Sequence, residues 1–176
     1  MITADYLQRL RQLHHTLGIP SDYVQTTRLC LHEEAVTLVD TEPDVHGRVL
    51  RLTPEALAAW QAMKQTAAAD DIVLHLVSAF RSVDYQAQLI RRKLEAGRSL
   101  EQILLVNAAP GYSEHHTGRA IDIGTPGCAD LEDAFEDTPA FAWLMSRAAA
   151  FGFTLSYPRH NPTAICYEPW HWCYSA

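Results

Sequence analysis

Ser113-Glu114-His115-His116-Thr117-Gly118-Arg119-Ala120-Ile121-Asp122-Ile123-Gly124 is the stretch on which the fold turns. From Ala120 to Gly124 the residues alternate, with Ile121 and Ile123 on one side and Asp122 on the other. That is the period of a strand with one face against apolar neighbours and a carboxylate on the opposite face. His115 lies seven residues before Asp122, and Gly118 lets the backbone bend between them. Glu168-Pro169-Trp170-His171 then supplies a second imidazole and a further acid. A catalytic Zn²⁺ takes three protein ligands and keeps its fourth position for water, whose pKa falls to about 7. His115, Asp122, Glu168 and His171 thus offer three candidate ligands and one spare carboxylate that can move a proton.

Outward from this stretch the chain alternates helices with short strands. Leu7, Leu10, Leu13 and Leu17 mark an amphipathic helix that Thr3 can cap and that ends near Gly18 and Pro20. Ala35-Val36-Thr37-Leu38-Val39 and Val49-Leu50 read as a hairpin broken by Glu42-Pro43-Asp44 and Gly47. Thr53-Pro54-Glu55 opens a helix predicted to reach Ala69. Ile72 to Val77 is predicted as a buried strand delivering Ser78-Ala79-Phe80-Arg81 at its end, where functional side chains often sit. Ser82 can cap a helix over Val83 to Ala96, which carries Gln86, and Ser99 a short one through Val106. Thr125 to Asp137 is an acidic loop, and Thr138-Pro139 opens a helix through Ala150. Phe153 to Tyr157 and Ile165 to Tyr174 are the last predicted strands. This order suits an α+β layout with helices against a mainly antiparallel central sheet.

With 176 residues, one core can bury about two-thirds of the unfolded surface, so a single domain over residues 1–176 is expected. Apolar residues at 48% and charged residues at 20% are ordinary for a globular chain, which excludes disordered and fibrous classes. A net charge of −7 argues against a nucleic-acid partner. No apolar run approaches the ~20 residues of a membrane span. The start lacks a basic region followed by an apolar one, so the chain as given reads as cytoplasmic. Cys30, Cys128, Cys166 and Cys173 show no Cys-x-x-Cys spacing and read mostly as small buried hydrophobes. A disulfide between Cys166 and Cys173 could brace the Glu168 segment.

Ser-x-His-x-x-x-x-x-x-Asp followed by Glu-x-x-His resembles the zinc D-alanyl-D-alanine carboxypeptidases and dipeptidases of the VanY-like type. Ser78-Ala79-Phe80-Arg81-Ser82 with Gln86, Pro110-Gly111-Tyr112-Ser113, and Tyr167-Glu168-Pro169-Trp170-His171 carry the likeness over roughly residues 50 to 174. It implies a fold of the hedgehog/DD-peptidase type, with residues 50–176 as a zinc peptidase core and residues 1–49 as a helix and hairpin cover. It implies one Zn²⁺ on His115, Asp122 and His171, and Glu168 as catalytic base. Arg81 would stabilise the oxyanion or hold the substrate carboxylate. Gln86, Ser113 and Tyr112 are the implied substrate contacts, His116 a supporting or solvent-facing residue, and Trp170 and Trp172 packing.

The implied activity is release of a terminal D-amino acid from a peptidoglycan stem peptide or other D-alanyl peptide. It would be exercised in the periplasm or cell envelope where a leader has been removed. An L,D-carboxypeptidase, a phage-lysin-like endopeptidase and a non-catalytic zinc-stabilised binding module remain open. Two positions depart from the pattern: Ser156 before Tyr157-Pro158, and Cys173 after Trp172, stand where arginine is common.

Overall fold

The computed structural model describes residues 2–175. In chain order it forms α1 (Ala4–Leu17), α2 (Tyr23–Thr27), β1 (Val39–Pro43), β2 (Val49–Leu52), α3 (Pro54–Ala69) and β3 (His75–Ser78). These are followed by α4 (Val83–Glu95), α5 (Leu100–Leu104), β4 (Ala120–Gly124), α6 (Pro139–Arg147), β5 (Phe153–Leu155) and β6 (His171–Tyr174). Single 3₁₀ turns occupy Glu114–Thr117, Asp133–Asp137 and Ala148–Phe151.

β4 lies inside a four-stranded antiparallel sheet of order β3-β4-β6-β5, and all five of its residues are buried. β1 and β2 pair as a separate hairpin. Register, together with the two-residue period of a strand, sorts the side chains. Asp122 faces His171 across the β4–β6 ladder while Ile121 faces Trp172; residues directly opposite share a face, so the polar pair and the apolar pair point to opposite sides. On the apolar side Ile121, Ile123, Leu76, Phe153 and Trp172 join one core cluster with Ala56, Trp60, Met63 and Ala67 of α3 and Ala140, Trp143 and Leu144 of α6. Each large side chain buried this way contributes about 1.5–3 kcal/mol. A second cluster joins Leu17, Ile19 and Tyr23 to Ala87 and Ile90 of α4, Ile103 of α5, and Tyr157 and Ile165. It holds α4 as a wall beside the polar side of the sheet.

The helix starts follow the capping chemistry of the sequence. Thr3, Thr53, Ser82, Ser99 and Thr138 each accept a hydrogen bond from a backbone N–H three residues on. Among the described residues no helix is long and apolar enough to cross a membrane.

Several boundaries differ from the sequence reading. Ala35 to Leu38 is irregular, with Val36 99% exposed, and the strand begins at Val39 and runs through Glu42-Pro43. Pro43 is tolerated because the β1–β2 ladder has only two strands and shifts register between Asp40 and Pro43. β3 starts at His75, and Val73 is exposed. Ile165 to Trp170 is not strand: β6 begins only at His171, beyond Pro169, which has no N–H to give a ladder. The short helix α2 carries no periodic signal of its own. All four cysteines are free thiols, Cys30 and Cys166 exposed, so neither the buried reading nor the Cys166–Cys173 disulfide holds.

Candidate active site

Three elements converge on the polar side of the sheet. The 3₁₀ turn Glu114–Thr117 brings His115, β4 brings Asp122, and the first residue of β6 is His171; all three are buried. Gly118 closes that turn at φ +64°, where a Cβ would meet Leu38 Cδ2 at 2.7 Å, so only glycine lets the turn pack this closely. One ligand-type atom from each of the three residues lies within 4.8 Å of the other two.

The hydrogen bonds fix which ring nitrogens face inward. Burial, with the Arg81 charge, holds His115 down to about 4 and therefore neutral. Its Nδ1–H donates to the Ala79 carbonyl at 2.7 Å, so Nε2 is left bare and faces Asp122 Oδ2 at 3.3 Å. Two lone-pair atoms in that position call for a cation between them. His171 turns Nδ1 to Asp122 Oδ1 at 3.1 Å and Nε2 to Glu114 Oε2 at 2.9 Å. Burial opposes its charge, but the hydrogen bonds to Asp122 and Glu114 outweigh burial and push its pKa up to about 10. Burial works against ionisation of Asp122, yet the His115 and His171 contacts hold it far below the usual carboxylate range. Donors about 2.0–2.2 Å from a tetrahedral Zn²⁺ are about 3.4 Å apart. The two spacings to Asp122 are close to that edge, and the donor set fits a divalent cation.

Glu168 stands beside this group, its Oε2 3.8 Å from His171 Nδ1. Its N–H donates to the Tyr157 carbonyl, and its own carbonyl accepts from His171 N–H, both at 3.1 Å. Burial pushes its carboxyl up to about 7, against the pull of His171 and with the help of the Asp122 charge. A group that titrates near neutrality can both take and give a proton. Arg81 approaches from the other side, with its guanidinium 3.9 Å from Asp122 Oδ2 and hydrogen bonded to Gln86 Oε1 at 3.2 Å. Its buried Nε has no hydrogen-bond partner among the described residues. Gln86, 1% exposed, spends its amide on the Ala108 carbonyl at 2.7 Å and its oxygen on Arg81, so it braces the arginine.

These groups line one open cavity of about 650 Å³ together with Ser113, Lys93, Tyr157 and Trp170. Tyr112, expected at the substrate, is not on its wall: the ring packs against Tyr23 and His14 at centroid distances of 5.5 and 5.8 Å. Trp172 lies in the core and Trp170 packs against it, as expected, and Trp170 also reaches the cavity. His116 is fully buried, which excludes the solvent-facing reading. Its Nδ1–H donates to the Arg81 carbonyl at 2.6 Å and its Nε2 accepts from Gly111 N–H at 3.0 Å, so it ties the Arg81 backbone to the loop before His115.

Sequence reasoning missed Glu114 and Tyr157. Glu114 adjoins a ligand in sequence, but its partner His171 lies 57 residues away. Tyr157 has its ring centroid 4.8 Å from that of His171, a contact that its place at a strand end and before Pro158 does not signal.

The sequence profile of the VanY D-alanyl-D-alanine carboxypeptidases matches residues 49–176. The chain belongs to this family. It is 33% identical over 129 residues to the bifunctional D-Ala-D-Ala dipeptidase and D-Ala-D-Ala carboxypeptidase VanXYC of Enterococcus gallinarum, which covers 70% of this chain and 66% of that one. Among solved structures it resembles the LdcB LD-carboxypeptidase, with a TM-score of 0.64 and 29% identity over 88% of this chain and 68% of the other. A VanY D,D-pentapeptidase from a VanB-type vancomycin resistance cassette, solved in complex with Zn(II), shares the fold. Its TM-score is 0.60 at 23% identity, covering 90% of this chain and 83% of that one. The chain spans 48% and 66% of the lengths of two curated relatives.

Proposed function

We propose that the chain is a zinc-dependent carboxypeptidase that removes the terminal D-amino acid from peptidoglycan stem peptides, with D-alanyl-D-alanine ends as substrate. The observation that carries the reading is the bare Nε2 of His115 facing Asp122 beside His171, with the Glu168 carboxyl alongside in the same cavity. His115, Asp122 and His171 would hold the ion. Zn²⁺ there would supply Lewis acidity and lower the pKa of water at its open position to about 7.

Glu168 takes the proton of the attacking water and passes it to the departing amine, a role matched by a pKa near 7. Arg81, already fixed by Gln86, neutralises the oxyanion that forms on the scissile carbonyl. Ser113, buried on the cavity wall, would meet the peptide backbone.

The likeness to LdcB supports an L,D-carboxypeptidase as the second reading. Digestion of tri-, tetra- and pentapeptide stems separates the two. Loss of the last residue from pentapeptide supports the first reading, cleavage of tetrapeptide alone supports the second, and no cleavage of any stem by zinc-loaded protein rejects both. A non-catalytic zinc-stabilised module has no use for the partly proton-bearing Glu168. It would be favoured if EDTA unfolded the protein and no peptide were ever cleaved.

A further inference from the structure

We propose that Glu114, held by Ser156, is a positioning residue that presents Nδ1 of His171 to the metal; this rests on the reading of His171 as a ligand. Three hydrogen bonds close a ring among Ser156, His171 and Glu114. The Ser156 N–H donates to the His171 carbonyl at 3.3 Å, the Ser156 hydroxyl donates to Glu114 Oε2 at 2.6 Å, and His171 Nε2–H donates to that same oxygen at 2.9 Å. Backbone and ring of the last ligand are therefore both set by one serine, directly and through the acid.

An imidazole has two nitrogens, and only the one without a proton can coordinate. A carboxylate fixed at Nε2 keeps the proton there, turns Nδ1 toward Asp122 and makes the ring a stronger donor. The Ser156 hydroxyl donates to that same oxygen and so fixes its place against the ring. His115 is oriented by a different device, the Ala79 carbonyl on its Nδ1–H. The two rings thus coordinate through different nitrogens, and only His171 depends on a side chain for its tautomer.

Both sequence departures fall on this acid. Ser156 donates to it, and the Cys173 thiol lies beside it. Among the described residues no lysine or arginine pairs with Glu114, and its ion pair is with His171. The carboxylate is therefore not shared with a fixed cation, as it would be with an arginine at either place.

The test is the zinc dissociation constant, measured by competition with a chelator on the full chain, for wild type, Glu114→Gln, Ser156→Ala, the double variant and His171→Ala. Thermal unfolding of the zinc-free proteins serves as a fold control. Glu114→Gln should weaken zinc binding about 10–100-fold. Ser156→Ala should weaken it less, and should add almost nothing to Glu114→Gln because both act through one contact. In ring-¹⁵N spectra of the zinc-loaded protein the His171 Nε2–H resonance should move in both single variants and the His115 Nδ1–H resonance should not. A merely structural Glu114 would change stability but leave the ring spectrum unmoved. If Glu114→Gln fails to fold, Ser156→Ala, which loses one hydroxyl, is read the same way. Unchanged affinity and spectrum in the folded variants, with zinc lost in His171→Ala, overturns the inference and leaves the metal site standing. Wild-type affinity in His171→Ala overturns the metal-site reading beneath it.

Discussion

Replacing Glu168 with glutamine should stabilise the zinc-free protein while removing its activity. The carboxyl is buried beside Asp122, and its pKa is raised from 4.5 to about 7. Folding therefore favours the protonated form. Below pH 4.5 both folded and unfolded chains carry the proton and the native state loses nothing. As pH rises from 4.5 through 7 the unfolded chain ionises freely while the native one is forced to ionise in a buried site, so stability falls. Above pH 7 the cost is about 3 kcal/mol, at 1.36 kcal/mol per pH unit between the two pKa values. Glutamine keeps the shape and has no charge to bury. For a domain of this size, about 3 kcal/mol is about 6–12 °C in Tm.

Thermal or urea unfolding of wild type and Glu168→Gln in EDTA, from pH 4.5 to 8.5, would show the two curves together at the acid end and separating toward the alkaline end. With zinc restored, hydrolysis should fall about 10²–10⁴-fold, the usual worth of a positioned base. A variant no more stable than wild type at pH 8.5 would refute the burial argument. A variant that still cleaves peptide at the wild-type rate would refute the assignment of the base.

Arg81→Met should lower kcat/KM about 10²–10³-fold on stem peptides, the loss expected for one donor at a developing oxyanion. Steady-state kinetics checks this, and a KM effect with kcat unchanged would point instead to binding of the substrate carboxylate. His116 should make the fold acid-sensitive. Burial holds it down to about 4, and its Nε2 must stay unprotonated to accept from Gly111 N–H. Because the unfolded chain takes up a proton near 6.5 that the native one refuses, stability should fall by about 3 kcal/mol between pH 6.5 and 4. Urea titrations of wild type and His116→Gln at pH 7.5 and 4 measure the difference. An equal acid loss in both would show that another group is responsible.

The helices were legible because their signals are local. Thr53-Pro54 carries a cap and a ring that both favour a first turn, and Ser82 and Ser99 do the same with a hydroxyl. Strand limits were less legible because pairing decides them. Val36 has the composition of a strand residue, yet it has no ladder to join, whereas Glu42-Pro43 lies in β1 because Val49 is there to pair with it. Tyr112 lay beside the ligand segment in sequence, but Gly111 turns the chain at φ +90° and the ring goes to Tyr23.

Chain order and residue type alone determined the α+β class, the central strand with Asp122 opposite its isoleucines, and the shortlist of two imidazoles and two acids, since each of these follows from spacing along a few residues. Only the tertiary structure decided that Asp122 and His171 are register partners, that His115 offers Nε2 while His171 offers Nδ1, and that Glu114 and Ser156 stand behind the last ring. Those depend on contacts between segments up to 57 residues apart, and a hydrogen bond across such a distance leaves no periodicity in the chain to read.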